Sequence, residues 1–228
     1  MRLEEAVARL RVLPDVLPDG PDELIPVLAG SGGPRPQPTW EVPPGEARPA
    51  AVLILLYPDA SGQAYVVLTE RTDRGGHHSG EVSFPGGRVE PADTDLIATA
   101  LREAAEEVGL DPAECDLRVL GELPTQWIPV SNYTVAPIVA VAARRPTMRP
   151  QPSEVAAILD APLRLFLPGA PLLTVERELR GFHVRYSAYP VAGLAVWGMT
   201  AKILGGLGAW LARDEDAAEE WASDTPDA

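Results

Sequence analysis

The chain is poor in cysteine, histidine and basic residues. Of its 228 residues one is cysteine and three are histidine. Cys115 alone cannot close an intrachain disulfide, and no Cys/His set with zinc spacing occurs. A disulfide scaffold and a structural zinc site are thereby excluded, and a reduced, cytoplasmic setting is expected. No base adjoins Cys115 in sequence, so a nucleophilic role has no support. Lys and Arg number 19 against 33 Asp and Glu, a net charge of −14. So acidic a chain does not suit a phosphate backbone, and nucleic acid is not an expected partner. Part of that charge is remote from the fold: residues 213–228 hold seven acids and one Arg, and read as a disordered acidic tail.

Uninterrupted apolar runs are also missing. Residues 191–212 come nearest to a membrane span, but Lys202 sits at their centre and glycines break them up. A central Lys costs about 2.5–3.5 kcal/mol on insertion scales. The segment therefore predicts a buried helix over about residues 200–211, and no membrane association is expected. The first ten residues are charged and helical rather than a signal peptide. Internal repeats are absent. Gly30-Ser31-Gly32-Gly33 and Gly205-Gly206-Leu207-Gly208 lack the Lys-Ser/Thr of a phosphate-binding P-loop.

What the chain does contain is concentrated between Gly86 and Leu110. That stretch ends in Arg102-Glu103-Ala104-Ala105-Glu106-Glu107-Val108-Gly109-Leu110. Glu103, Glu106 and Glu107 fall at i, i+3 and i+4, so a helix puts all three on one face. At about 100° per residue, Ile97, Leu101, Ala104 and Val108 form the adjacent apolar stripe. Like charges this close repel, and a hard divalent cation such as Mg²⁺ relieves the repulsion through carboxylate oxygens. A solvated acidic face, with Arg102 pairing to Glu106, is the competing reading. Phe84-Pro85-Gly86-Gly87 precedes the helix and allows close backbone approach to a ligand. Asp93 or Thr94 offers an N-cap, and Gly109 sits where a C′ glycine ends a helix.

The segment resembles the Nudix box, a glycine and a spaced acid followed by R-E-U-x-E-E-x-G-U with U apolar. The second half matches from Arg102 to Leu110, with Ala104 as the first apolar position. In the first half Asp93 stands where Glu is usual, one residue further from the Arg than the pattern has it. Upstream, Leu68-Thr69-Glu70-Arg71-Thr72 and Gly80-Glu81-Val82-Ser83-Phe84-Pro85-Gly86-Gly87 are similar to the added signature of the coenzyme A pyrophosphatase branch. Val67, Thr72 and Gly76 depart from it. Gly76 stands where a second Arg belongs, and Arg74 lies two residues away. Residues 97–101 and 196–201 also look like that branch.

Strands are expected at 50–56, 64–69, 117–123 and 134–142, with a turn at 58–62. Residues 172–179 and 182–189 read as a hairpin, 153–159 and 162–166 as helical pieces, and 30–49 as an extended linker. Mixed strands with few helices argue α+β, and the resemblance implies the Nudix α/β/α sandwich. Three parts are expected: an N-terminal segment over 1–46, the Nudix domain over 47–212 and the tail over 213–228.

The resemblance also implies a reaction. Glu103 and Glu107 are the best metal ligands, with Gly87 as a backbone ligand. Glu106 is a third ligand or the general base, and Glu103 competes for the base role. Arg102 orients the acids. Arg71, Arg74 and Gly86 are the candidate substrate contacts. The cofactor implied is Mg²⁺ or Mn²⁺. The substrate implied is coenzyme A or a thioester; ADP-ribose or a dinucleotide is the alternative, and a non-catalytic nucleotide sensor is a third reading. A homodimer through the N-terminal segment or a strand edge is compatible with the sequence. His77, His78, His183, Trp127 and Tyr133 read as structural or loop residues, with base stacking open to the two aromatics.

Overall fold

A computed structural model describes residues 1–33, 47–72, 81–129, 131–179 and 181–213. In chain order the elements are α1 (Leu3–Arg9), β1 (Val27–Leu28), β2 (Arg48–Pro58), β3 (Ala64–Arg71), β4 (Val82–Ser83), β5 (Gly86–Arg88), α2 (Leu96–Val108), β6 (Arg118–Glu122), β7 (Gln126–Ile128), β8 (Tyr133–Val141), β9 (Val155–Pro162), β10 (Leu173–Leu179), β11 (Phe182–Val191), β12 (Leu194–Val196) and α3 (Gly198–Leu211).

The apolar run of β2 makes it the centre of an eight-stranded mixed sheet. It pairs in parallel with β8 along one edge, and antiparallel with β3 and β5 on the other. Its alternation supplies two cores. Ala51, Leu53, Leu55 and Tyr57 pack under α2 with Ala100, Ala104 and Val108. Ile54 and Leu56 pack on the opposite face with Leu204 and Leu207 of α3 and with Ala6 and Leu10 of the N-terminal segment. The sheet thus lies between helices, as the α+β sandwich requires. A smaller sheet orders β1, β11 and β10, with β12 added to the end of β11.

The four main strands and the hairpin lie where sequence pattern puts them. The turn after β2 is fixed by Asp59, whose Oδ1 accepts the Ser61 and Gln63 N–H groups, each at 2.8 Å. Two expectations need correction. Residues 153–159 are not helical: they belong largely to β9, which pairs with β3 from Tyr65 to Arg71. A partner strand with an open edge overrides the helical propensity of Ala156-Ala157-Ile158-Leu159. Residues 162–166 form one short 3-10 turn, Leu163–Phe166. The C-terminal helix begins two residues before the expected start. Among the described residues no helix is long and apolar enough to cross a membrane.

Candidate active site

The ends of α2 set the site. Asp95 is the N-cap, in place of Asp93 or Thr94; its Oδ1 accepts the Ala98 N–H at 2.7 Å. Gly109 ends the helix at φ 65°, as a C′ glycine does. Asp93 is then available to hold Arg102. Its two oxygens accept from Arg102 Nε at 2.8 Å and Nη2 at 3.0 Å, and its Oδ2 also accepts the Glu90 N–H and the Thr99 hydroxyl. The guanidinium beside it holds the Asp93 carboxyl well below the usual carboxylate range.

Arg102 reaches two of the three acids as well. Nη1 donates to Glu103 Oε1 at 3.0 Å and to Glu106 Oε2 at 3.1 Å, while Nη2 donates to the Arg88 carbonyl at 3.0 Å. The surface pair to Glu106 and the orienting role are therefore one set of charge-assisted bonds.

The acids are graded in burial. Their side chains are 5 % exposed at Glu107, 13 % at Glu103 and 59 % at Glu106. Glu107 Oε2 accepts the Gly86 N–H at 3.0 Å, and its Oε1 stands 4.0 Å from Arg71 Nη1. Burial pushes the Glu107 carboxyl up to about 7, over the opposing pull of the Gly86 amide and Arg71. Burial also raises Glu103, against the pull of Arg102. Glu154, just before β9, adds its negative charge to the upward push on both. Nothing local marks Glu154 in the sequence; the Gln151 N–H bond to the Glu107 carbonyl and the pairing of β9 with β3 bring it to the acids.

The double glycine explains itself sterically. A Cβ on Gly87 would stand 2.5 Å from the Glu103 carboxylate carbon, and one on Gly86 would stand 2.4 Å from the Ala51 carbonyl oxygen. A bare Gly86 lets β5 pass the β2 backbone, and a bare Gly87 lets the Glu103 carboxylate keep its place.

This donor set suits a hard divalent cation. It offers carboxylate oxygens, and it buries Glu107 with the nearest cationic nitrogen among the described residues 4.0 Å away. Among the described residues no three His, Cys, Asp or Glu side chains already converge on one ion position, because Arg102 holds Glu103 and Glu106.

Of the remaining residues, Arg71 ends β3 at a register shift between Glu70 and Arg71, a bulge of the kind that re-aims a side chain. Arg74, Gly76, His77 and His78 lie outside the described residues. Trp127 belongs to β7, opposite Thr134 of β8. It is three strand spacings from β5, roughly 14 Å, and is not brought to the acids. Tyr133 lies under Arg48, whose guanidinium carbon is 4.2 Å from the ring centre. His183 is exposed opposite Glu178, and Cys115 is buried.

The NUDIX domain family model matches residues 47–168. Nudix hydrolase 15, mitochondrial, of Arabidopsis thaliana is 38 % identical over 161 residues, which cover 68 % of this chain and 55 % of that protein. The chain thus spans about half the length of that plant relative. The uncharacterized Nudix hydrolase NudL of Pectobacterium atrosepticum is 36 % identical over 166 residues, 71 % of this chain and 82 % of that one. A solved Nudix hydrolase from M. Smegmatis, RenU, superposes with a TM-score of 0.43 at 25 % identity, covering 52 % of this chain and 73 % of that one. With the family match spanning more than half of the sequence, including the glycine pair and all three helical acids, the chain belongs to the Nudix hydrolase family.

Proposed function

We propose that the chain hydrolyses the diphosphate bond of coenzyme A or its thioesters, giving 3′,5′-ADP and 4′-phosphopantetheine or its acyl derivative. The observation that carries the hydrolytic part is the acid stripe of α2, braced by Arg102 and set against Gly86-Gly87 with Arg71 at its buried end. The substrate rests on the residues from Leu68 to Gly87 that resemble the coenzyme A branch.

Glu103, Glu106, Glu107 and the Gly87 carbonyl would hold Mg²⁺ or Mn²⁺, which lowers the pKa of bound water and neutralises charge on the phosphoryl oxygens. Glu107 is fixed by the Gly86 amide and does not need to move. Arg71 contacts a substrate phosphate beside it. The attacking water gives its proton to Glu103 or Glu106, two coupled carboxylates that share Arg102. The water oxygen bonds to phosphorus, and the bridging P–O bond breaks.

A second reading, another nucleoside diphosphate derivative such as ADP-ribose or a dinucleotide, is favoured by Gly76 at the position of the signature's second Arg. Product identification separates them. Coenzyme A, ADP-ribose and a dinucleotide are incubated with Mg²⁺ or Mn²⁺. Release of 3′,5′-ADP from coenzyme A at the highest kcat/KM supports the first reading. Preference for either of the others supports the second. Nucleotide binding with no turnover on any of them would make the chain a sensor.

A further inference from the structure

Gly76 stands where the longer signature has its second Arg, and among the described residues a different arginine, Arg177, is linked to the acid site by a chain of contacts. The Glu81 carbonyl accepts the Arg71 N–H at 3.0 Å, which fixes Glu81 beside the acid site. The strand that follows Glu81, β4, packs against β12. Trp197 comes directly after β12, and its ring lies 5.2 Å from that of Tyr186 on β11. The Arg177 guanidinium of β10 sits over Trp197, 4.8 Å from the ring centre. Burial raises the Tyr186 phenol, Arg177 pulls it the other way, and the Glu81 charge also reaches it. Arg177, Trp197, Tyr186, Glu81 and Arg71 thus form one continuous neighbourhood.

Arg177 is exposed, lies over the Trp197 ring, hydrogen-bonds the Tyr186 side chain, and is without a carboxylate within ion-pair distance among the described residues. Its flanking acids, Glu176 and Glu178, alternate to the other face of the strand, opposite Arg185 and His183. A guanidinium has five N–H donors, so one lying over a ring and bonded once to Tyr186 keeps donors for contact with a phosphate. Arg71, beside Glu107, is the cation assigned above to the diphosphate, so a second cation in the same neighbourhood suits a second anionic group.

We propose that Arg177, held over Trp197, binds a phosphomonoester carried by the substrate outside its diphosphate, and so selects 3′-phosphorylated nucleotides. The proposal rests on the coenzyme A reading above, because a nucleoside diphosphate without that group leaves Arg177 nothing to hold.

Calorimetric titration of the full chain with 3′,5′-ADP and with AMP tests this without turnover. Wild type should prefer 3′,5′-ADP, and Arg177→Ala should weaken that ligand about tenfold or more while leaving AMP within about twofold. With turnover, the same variant should raise KM for coenzyme A while leaving kcat, and both constants for dephospho-coenzyme A, unchanged. Arg177→Lys keeps the charge and should recover part of the preference; it also serves as the test protein should the alanine variant fail to fold. Equal weakening of both ligands, or none, overturns the proposal. Should wild type cleave no diphosphate and still distinguish the two nucleotides through Arg177, the activity reading falls and this one stands. Cleavage of coenzyme A with Arg177 indifferent has the opposite meaning.

Discussion

Glu107, beside Arg71, and Asp93, beside Arg102, are opposite solutions to placing a carboxylate near an arginine. Asp93 is met by a guanidinium, an amide and a hydroxyl, and its charge is favoured; Glu107 is buried with less help, and its charge is resisted. Glu107→Gln removes a ligand but keeps the shape, and should lower turnover by about 100-fold or more. Retention of most activity across a Mg²⁺ titration would remove Glu107 from the proposed ligand set. Asp93→Asn should lower Tm at neutral pH. A group with a depressed folded pKa stabilises above its unfolded value of 3.8 and loses that contribution as pH falls below it. The gap in Tm between variant and wild type should therefore close as pH drops below that value; a gap independent of pH would contradict the pairing. Gly87→Ala separates site from fold. The added methyl meets only the end of a flexible side chain, so Tm should hold while displacement of Glu103 lowers kcat. Tyr189 tests the reverse. Its buried hydroxyl finds no hydrogen-bond partner among the described residues, so Tyr189→Phe should raise stability by about 1 kcal/mol, or about 2–4 °C in Tm.

Helices α2 and α3 were unequally legible. The boundaries of α2 follow from local chemistry: apolar spacing, an Asp at the start and Gly109 at the end. The cap itself was misplaced: Asp95 holds it rather than Asp93 or Thr94, because Arg102 competes for Asp93 through bonds no spacing rule reveals. In α3 the glycines Gly205, Gly206 and Gly208 carried no readable purpose, and their reason is tertiary. A Cβ on Gly206 would meet Leu17 at 2.6 Å, and one on Gly208 would collide with the Phe166 carbonyl oxygen. They are the seats on which the N-terminal segment and the 3-10 turn rest. Gly208→Ala should therefore destabilise the chain, although alanine gains about 1 kcal/mol of helix propensity. An unchanged or higher Tm in a thermal melt would refute this packing account. Strand β9 was misread for a similar reason: its partner β3 lies about 90 residues earlier in the chain, and pairing rather than propensity decides its form.

Across the whole molecule, the acid stripe was readable because its three members lie within five consecutive positions of one helix. Residues assembled from distant segments were not: Glu154 joins the acids through β9, and Arg177 joins the neighbourhood through a hairpin and a tryptophan. The N-terminal segment shares the core of the family domain through Ala6, Leu10 and Leu24. A net charge of −14 does not exclude an anionic substrate, since Arg71 and Arg102 stand among the acids and an ion would add to them. The stripe as a cation site is the central claim. Mn²⁺ titration followed by electron paramagnetic resonance tests it most directly, comparing wild type with the Glu103→Gln, Glu107→Gln double variant. The account predicts at least one bound ion per wild-type chain and its loss in the variant at unchanged fold; equal Mn²⁺ binding by both proteins, or none by wild type, would contradict it.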